Sequence, residues 1–259
     1  MIKPLVRLIS RGRRIWKQLP SDLGGGSVCC SPEATLSVWK PGWASPQAQD
    51  LFAWVRLYVK PGMCIWDLGA NQGLFAFAAA ARAGVEGEVF AFEPDPYLVA
   101  LLEHSLSSGS HNAAAVHVMP LALSDKVSIG QFLIAQTDRT LNHLAVAKGN
   151  PRTCGFRTSR PVMMVTLDWL GEHLKPPNLI KIDVEGGESL VLHGSQELLR
   201  RHRPIVIIEV AQECALSVSI LFAEANYLMF DIQTPQDGPI TQPAWNTLAL
   251  PAERAQAMV

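Results

Sequence analysis

Five short stretches of this chain are apolar at almost every position: 63–67 (MCIWD), 87–92 (GEVFAF), 114–120, 179–184 (LIKIDV) and 204–210 (PIVIIEV). Continuity of that kind predicts strands covered on both faces, as in a parallel sheet. Between and after them, apolar residues recur at helical spacing over 47–59, 73–83, 96–106, 188–201 and 215–225. Pro61-Gly62 stops the first of these helices, and Pro96 suits the first turn of the third. Strand-like pieces at 227–232 and 247–250 complete the series. Strands alternating with helices of roughly 10 to 15 residues predict right-handed βαβ units and a doubly wound, mostly parallel α/β sheet.

The rhythm breaks at about 126–177. QFLIA and PVMMVT read as strands around a polar loop that holds Asp138, Arg139, Asn142 and His143. Loops at strand ends carry recognition, so this insertion is the expected place for substrate-facing structure.

The first 20 residues follow another pattern. Ile2, Leu5, Ile9 and Trp16 set against Lys3, Arg7, Arg11, Arg13, Arg14 and Lys17 predict a short amphipathic helix, either packed on the body or poorly ordered, or in contact with a membrane surface or partner. Gly24-Gly25-Gly26 reads as a hinge, which divides the chain into a basic extension, 1–26, and a main domain, 27–259. Arg13-Arg14 resembles the start of an export leader, but no apolar stretch follows it.

Composition narrows the function. At 259 residues and 48% hydrophobic the chain can bury the core of one α/β domain, and no apolar run is long enough to span a bilayer as a helix. The formal net charge of −1 hides an asymmetry: beyond the six leading cations, 16 basic residues face 23 acidic ones, a net of −7. A nucleic-acid-binding body would show the opposite sign. The cysteines, Cys29, Cys30, Cys64, Cys154 and Cys214, are odd in number and contain no C-x-x-C pair, so neither a disulfide framework nor a zinc site is indicated. The expected setting is cytoplasmic, with peripheral contact at the inner membrane surface through 1–20 as the second reading of the basic segment.

The candidate chemistry begins where the first strand ends, at WDLGANQGLF (66–75). No G-x-x-x-x-G-K-[ST] is present, and the dinucleotide pattern G-x-G-x-x-G has Asn71 in its second glycine position and Leu74 in its third. A pyrophosphate site is disfavoured. What remains is a carboxylate (Asp67), a turn on Gly69 and Gly73, a helix start, and Glu93 at the tip of the second strand, 24 residues after Gly69. An acidic residue there accepts hydrogen bonds from ribose hydroxyls. A phosphate-free nucleoside with a cationic group near Asp67 suits the set, and S-adenosylmethionine has those properties, with its carboxylate placed at the helix N-terminus.

WDLGANQG, VFAFEPDP, PLALSD, LIKIDVEGGE, PIVIIEV and WNTLALP, in that order, resemble the FkbM-type family of S-adenosylmethionine-dependent methyltransferases over roughly 61–251. The resemblance implies the class I methyltransferase, Rossmann-like sheet of seven strands with the last antiparallel, and a cofactor across the C-terminal strand ends. It implies that Asp67, Gly69, Ala70, Asn71, Gly73 and Glu93 line the cofactor and that Ala122, Leu123 and Ser124 flank its adenine. Asp125 either takes the adenine amino group or caps the following turn. The implied acceptor is a hydroxyl of a sugar, glycolipid or secondary metabolite, and the basic N-terminal segment adds a lipid-linked or membrane-proximal acceptor as a second reading; the residues alone do not separate oxygen from nitrogen.

Methyl transfer to a hydroxyl needs an aligned nucleophile and a place for its proton. Strand alternation puts Lys181, Asp183 and Glu185 on one side at the tip of the fourth core strand, making Asp183 and Glu185 candidate bases. The competing reading is a Lys181–Asp183 ion pair with Glu185 capping the next helix. A divalent cation held by both carboxylates is a third reading, but the spacing offers no third ligand, and no metal is assigned. His143 in the inserted loop and Glu209 late in PIVIIEV are further candidate bases, whereas His193 reads as structural. Two other functions stay open: a nicotinamide-dependent oxidoreductase, and a non-catalytic module that binds the cofactor.

Overall fold

The computed structural model describes residues 12–107, 113–136, 138–147 and 155–255. It begins with a hairpin in which β1 (Ile15–Gln18) pairs antiparallel with β2 (Ser27–Cys30). Trp16 therefore lies on a strand, where an amphipathic helix was expected; the rest of that helix, 1–11, falls outside the described residues. Pairing with β2 overrides the local helical pattern, as tertiary context commonly does. The glycines are no hinge either. Gly24, at φ +86°, closes a tight turn against the body, where a Cβ would come within 2.8 Å of Ala81 Cβ. A division at 26/27 would cut this hairpin in two.

After the hairpin, α1 (Pro46–Tyr58) starts where Ser45 Oγ accepts the Ala48 amide at 3.3 Å, with Pro46 in its first position. The first half of the core follows as β3 (Cys64–Leu68), α2 (Leu74–Ala83), β4 (Glu88–Phe92), α3 (Pro96–Ser107) and β5 (Ala115–Met119).

The insertion is a second sheet. Its strands are β6 (Ala122–Leu123), β7 (Ser128–Ala135), β8 (His143–Leu144) and β9 (Phe156–Val165), in the order β6-β9-β7-β8. Its small core is Ala122, Phe132, Ile134, Leu144, Val162 and Met164. It starts earlier and ends sooner than 126–177, because β6 joins it and Leu167 and Leu170 of α4 (Leu167–Gly171) return to the main core.

The second half of the core runs β10 (Leu179–Ile182), α5 (Glu188–His193), α6 (Gln196–His202), β11 (Ile205–Glu209), α7 (Ala215–Glu224), β12 (Tyr227–Asp231) and β13 (Asn246–Pro251), with a last turn of helix, α8 (Ala252–Ala255). The single helix expected over 188–201 is two. The chain bends at Gly194-Ser195, where a Cβ on Gly194 would collide with the Ser124 carbonyl oxygen. Among the described residues, no helix is long and apolar enough to cross a membrane.

The main sheet has seven strands in the order β12-β13-β11-β10-β3-β4-β5, and β13 is antiparallel to both of its neighbours while the other pairs are parallel. Both faces are buried. Trp66, Leu68, Ile180, Ile182, Val206 and Ile208 enter one apolar cluster, and Ile65, Val89, Ala91, Leu179 and Ile207 enter the other. The connections run outward in opposite directions from β3 and β10. Their tips form the switch point at which open α/β sheets bind ligands.

Candidate active site

A cleft of about 510 Å³ opens at that switch point, with Gly69, Glu93, Asp183 and Glu209 from the tips of β3, β4, β10 and β11 in its wall. The amides of Gly69 and Ala70 both donate to the Phe92 carbonyl at 3.0 Å, which anchors the turn to the end of β4. Gly69 (φ +78°), Asn71 (φ +52°) and Gly73 (φ +85°) all take left-handed backbone angles, which glycine and asparagine tolerate best. At Gly69 the demand is also steric: a Cβ would collide with the Asp183 carbonyl oxygen of β10's tip. Gly73 precedes α2 without a side-chain cap, which leaves first-turn amides of α2 for acceptors other than the N-cap residue.

Glu93 is nearly inaccessible. Its Oε2 accepts the Asn71 amide and its Oε1 the Asp95 amide, each at 2.8 Å. Burial pushes its carboxyl up to about 8 despite those two donors. A raised carboxyl favours the folded state while protonated; its contribution is complete below about pH 4.5, the unfolded value, and is lost as pH rises through about 8. Glu93→Gln is accordingly expected to lose less unfolding free energy than the wild type between about pH 5 and pH 9. Urea denaturation at a series of pH values checks this, and parallel losses in both proteins would refute it.

The register of β3 against β10 places Lys181 directly beside Asp67. Lys181 Nζ stands 3.4 Å from Asp67 Oδ1, in ion-pair range without a well-formed hydrogen bond, and donates to Asp183 Oδ2 at 3.1 Å. Burial opposes the ammonium charge, but Asp183 first and Asp67 second outweigh it and hold Lys181 above its usual range. Asp67, with no accessible surface, is itself pushed up by burial against the pull of Lys181. Asp183, the nearer carboxylate, remains one-third exposed.

The sequence profile of the methyltransferase FkbM domain matches residues 67–228, a span that contains the turn, Glu93 and the tips of β10 and β11. The chain belongs to the FkbM methyltransferase family. The hexuronic acid methyltransferase AglP of Haloferax volcanii is 29% identical over 148 residues, 56% of this chain and 55% of that protein. The chain thus spans about half the length of this curated relative. Among solved structures, methyltransferase FkbM from Methylobacillus flagellatus KT matches with a TM-score of 0.46 at 13% identity, covering 77% of this chain and 50% of that one. A SAM-dependent O-methyltransferase from Thermotoga maritima matches with a TM-score of 0.45 at 13% identity, covering 86% and 73%.

In this FkbM methyltransferase Gly69, Ala70, Asn71, Glu93, Ala122 and Leu123 line the cleft, as do Asp183 and Glu185. Five candidates do not line it. Asp67 is sealed on β3 beneath the turn with Lys181 Nζ 3.4 Å away, so its carboxylate does not reach the cleft directly. Ser124 is buried, its amide bonded to the Val165 carbonyl and its hydroxyl to Asp125 at 3.1 Å. Asp125 is exposed beside it, which leaves the local turn as its observed setting. His143 lies on β8 between Asn142 and Leu144, and strand alternation turns those two neighbours to the cleft while His143 Nδ1 sits 3.0 Å from the Leu141 carbonyl. Gly73 shapes the turn from just outside the lining, with Phe77 and Leu102 filling the space a side chain would need.

Nor does Glu185 cap a helix. It takes φ +53°, the N-cap of α5 is Gly187, and Glu188 Oε1 accepts the Gly186 amide instead. Glu209 lines the cleft, and His193, with Nδ1 on the Ser189 carbonyl, keeps to its helix. The sequence reading missed a whole wall. Trp43, Gln47 and Trp54 line it, and Gln72 Oε1 fastens the N-terminal segment to the turn by accepting the Ser31 amide at 2.6 Å. It also missed Asp95, whose Oδ2 accepts Arg139 at 2.5 Å and Asn142 at 2.7 Å and so ties the insertion to the loop after β4. The only local signal was the second acid in FEPDP. Among the described residues, no group of three or more His, Cys, Asp or Glu side chains is placed to hold a metal ion.

Proposed function

We propose that this protein transfers a methyl group from S-adenosylmethionine to a hydroxyl of a sugar or sugar-bearing acceptor. The observation that carries the reading is the meeting, in one cleft, of the turn at Gly69 to Gly73, the Glu93 carboxylate and the two carboxylates at the tip of β10. Family membership supports methyl transfer, and the hexuronic acid relative supports a sugar acceptor.

The residues present fit that cofactor. Each Glu93 oxygen already takes one amide and keeps a lone pair for a ribose hydroxyl. The first amides of α2 suit a carboxylate, while Asp183 and Glu185 give an acidic setting suited to a sulfonium. When bound, S-adenosylmethionine supplies an electrophilic methyl group on a cationic sulfur. The acceptor hydroxyl would be aligned in the cleft toward that methyl group, and its proton would pass to Asp183, whose carboxylate Lys181 orients at 3.1 Å.

The test is a calorimetric titration followed by transfer of a labelled methyl group to sugar acceptors. S-adenosylmethionine should bind and NADH should not, and the label should withstand mild alkali, as an ether does. Binding of NADH alone would replace the reading with an oxidoreductase, and release of the label as methanol would move the acceptor from hydroxyl to carboxylate.

A further inference from the structure

Among the described residues, three cations line the cleft: Lys17, Arg139 and Lys181. Two of them are matched. Lys181 lies between Asp183 and Asp67, and Arg139 reaches Asp95 at 2.5 Å and Glu33 at 3.2 Å with its guanidinium 4.4 Å from the Tyr97 ring centre. Lys17 is held differently. From the inward side of β1 it donates to the Lys40 carbonyl at 3.1 Å and the Val38 carbonyl at 3.5 Å, and stands 4.3 Å over the Trp43 ring. None of these partners carries a full negative charge. The side chain is 9% exposed, and burial lowers its pKa, as expected of an ammonium short of compensation. Two carbonyls also leave one of its three N–H donors unassigned.

The geometry around it is fixed. Trp43 Nε1 donates to the Gln18 carbonyl at 2.8 Å, Gln49 Nε2 donates to the Trp43 carbonyl at 2.6 Å, and Phe52 meets the indole edge to face. Four further carboxylates, Asp50, Asp183, Glu185 and Glu209, stand in the wall of the cleft. An anionic group on an acceptor is repelled by those carboxylates and favoured at Lys17, which restricts how the acceptor can enter.

We infer that Lys17 recognises the carboxylate of an acidic sugar, a uronic acid, and thereby orients the ring so that a hydroxyl faces Asp183. The inference deepens the proposed sugar methylation and rests on it. A site built around a buried cation discriminates strongly against the analogue that leaves it unpaired.

The experiment titrates methyl β-D-glucuronide, methyl β-D-glucoside and glucose 1-phosphate by calorimetry, with and without S-adenosylhomocysteine. The glucuronide should bind about tenfold or more tightly than the glucoside in the wild type. That ratio should fall to about twofold or less in Lys17→Met and persist in Lys17→Arg, with the affinity for S-adenosylhomocysteine retained in both. Equal affinities for the two glycosides, or a preference that survives in Lys17→Met, overturn the inference. A preference for glucose 1-phosphate overturns the carboxylate assignment. If Lys17→Met does not fold, Lys17→Gln takes its place in the same comparison, with the same two outcomes. Failure of S-adenosylhomocysteine to bind by itself refutes the cofactor reading, whereas its binding without discrimination between the glycosides refutes the role of Lys17 alone.

Discussion

Asp183→Asn is expected to lower turnover by about two to four orders of magnitude while the affinity for S-adenosylhomocysteine stays within about twofold. The expectation follows from position. Asp183 closes β10 beside the turn of β3, its backbone amide donating to the Leu68 carbonyl at 3.0 Å, so the carboxylate is carried by two paired strands. It is the accessible member of the Lys181 group, one-third exposed in the cleft, and the asparagine amide keeps its shape but cannot take a proton. Single-turnover transfer with a labelled cofactor, read beside a binding isotherm, separates the two quantities. A wild-type rate would assign Asp183 to the ion pair alone and make Glu185 the base to examine.

Lys181→Met is expected to destabilise the fold by about 3 to 5 kcal/mol near neutral pH, the range for removing one partner of a buried ion pair. Among the described residues, Lys181 is the cation in ion-pair range of Asp67, which has no accessible surface. Methionine fills the volume but leaves the carboxylate uncompensated, and Asp67 then resists ionising more strongly. A carboxyl raised in the folded state stabilises while protonated, so the variant should lose further stability as pH rises, and the deficit should shrink in acid. Adding Asp67→Asn should recover much of the loss. Denaturant midpoints for the two single variants and the double variant test this, and a Lys181→Met deficit below about 1 kcal/mol at neutral pH would show that Asp67 is carried protonated in the wild type.

The features legible in the sequence share a property: each is written within a few consecutive residues. A strand buried on both faces must be apolar throughout, so 63–67, 87–92, 179–184 and 204–210 announced β3, β4, β10 and β11 to within two residues at either end. The turn at Gly69 was legible because glycine and asparagine are the residues that accept its backbone angles. What misled was local pattern without its partner. The segment around Trp16 has helical spacing, yet its pairing is with Ser27–Cys30.

The rest depended on which distant segments meet. His143 and Asn142 are neighbours with similar chemistry on paper, but β8 alternates, and the wall of the cleft received Asn142. The roles of Asp67 and Lys181 hang on the register of β3 against β10, since a shift of one residue would turn either side chain to the opposite face. Likewise the bonds Arg139–Asp95 and Gln72–Ser31 join segments 44 and 41 residues apart. By itself the sequence determined the sheet and the turn, because backbone angles and burial constrain residue type locally. Tertiary structure alone decided which charges are neutralised and which, at Lys17, are left facing the cleft without a carboxylate, because an ion pair depends on through-space distance, which separation along the chain does not set.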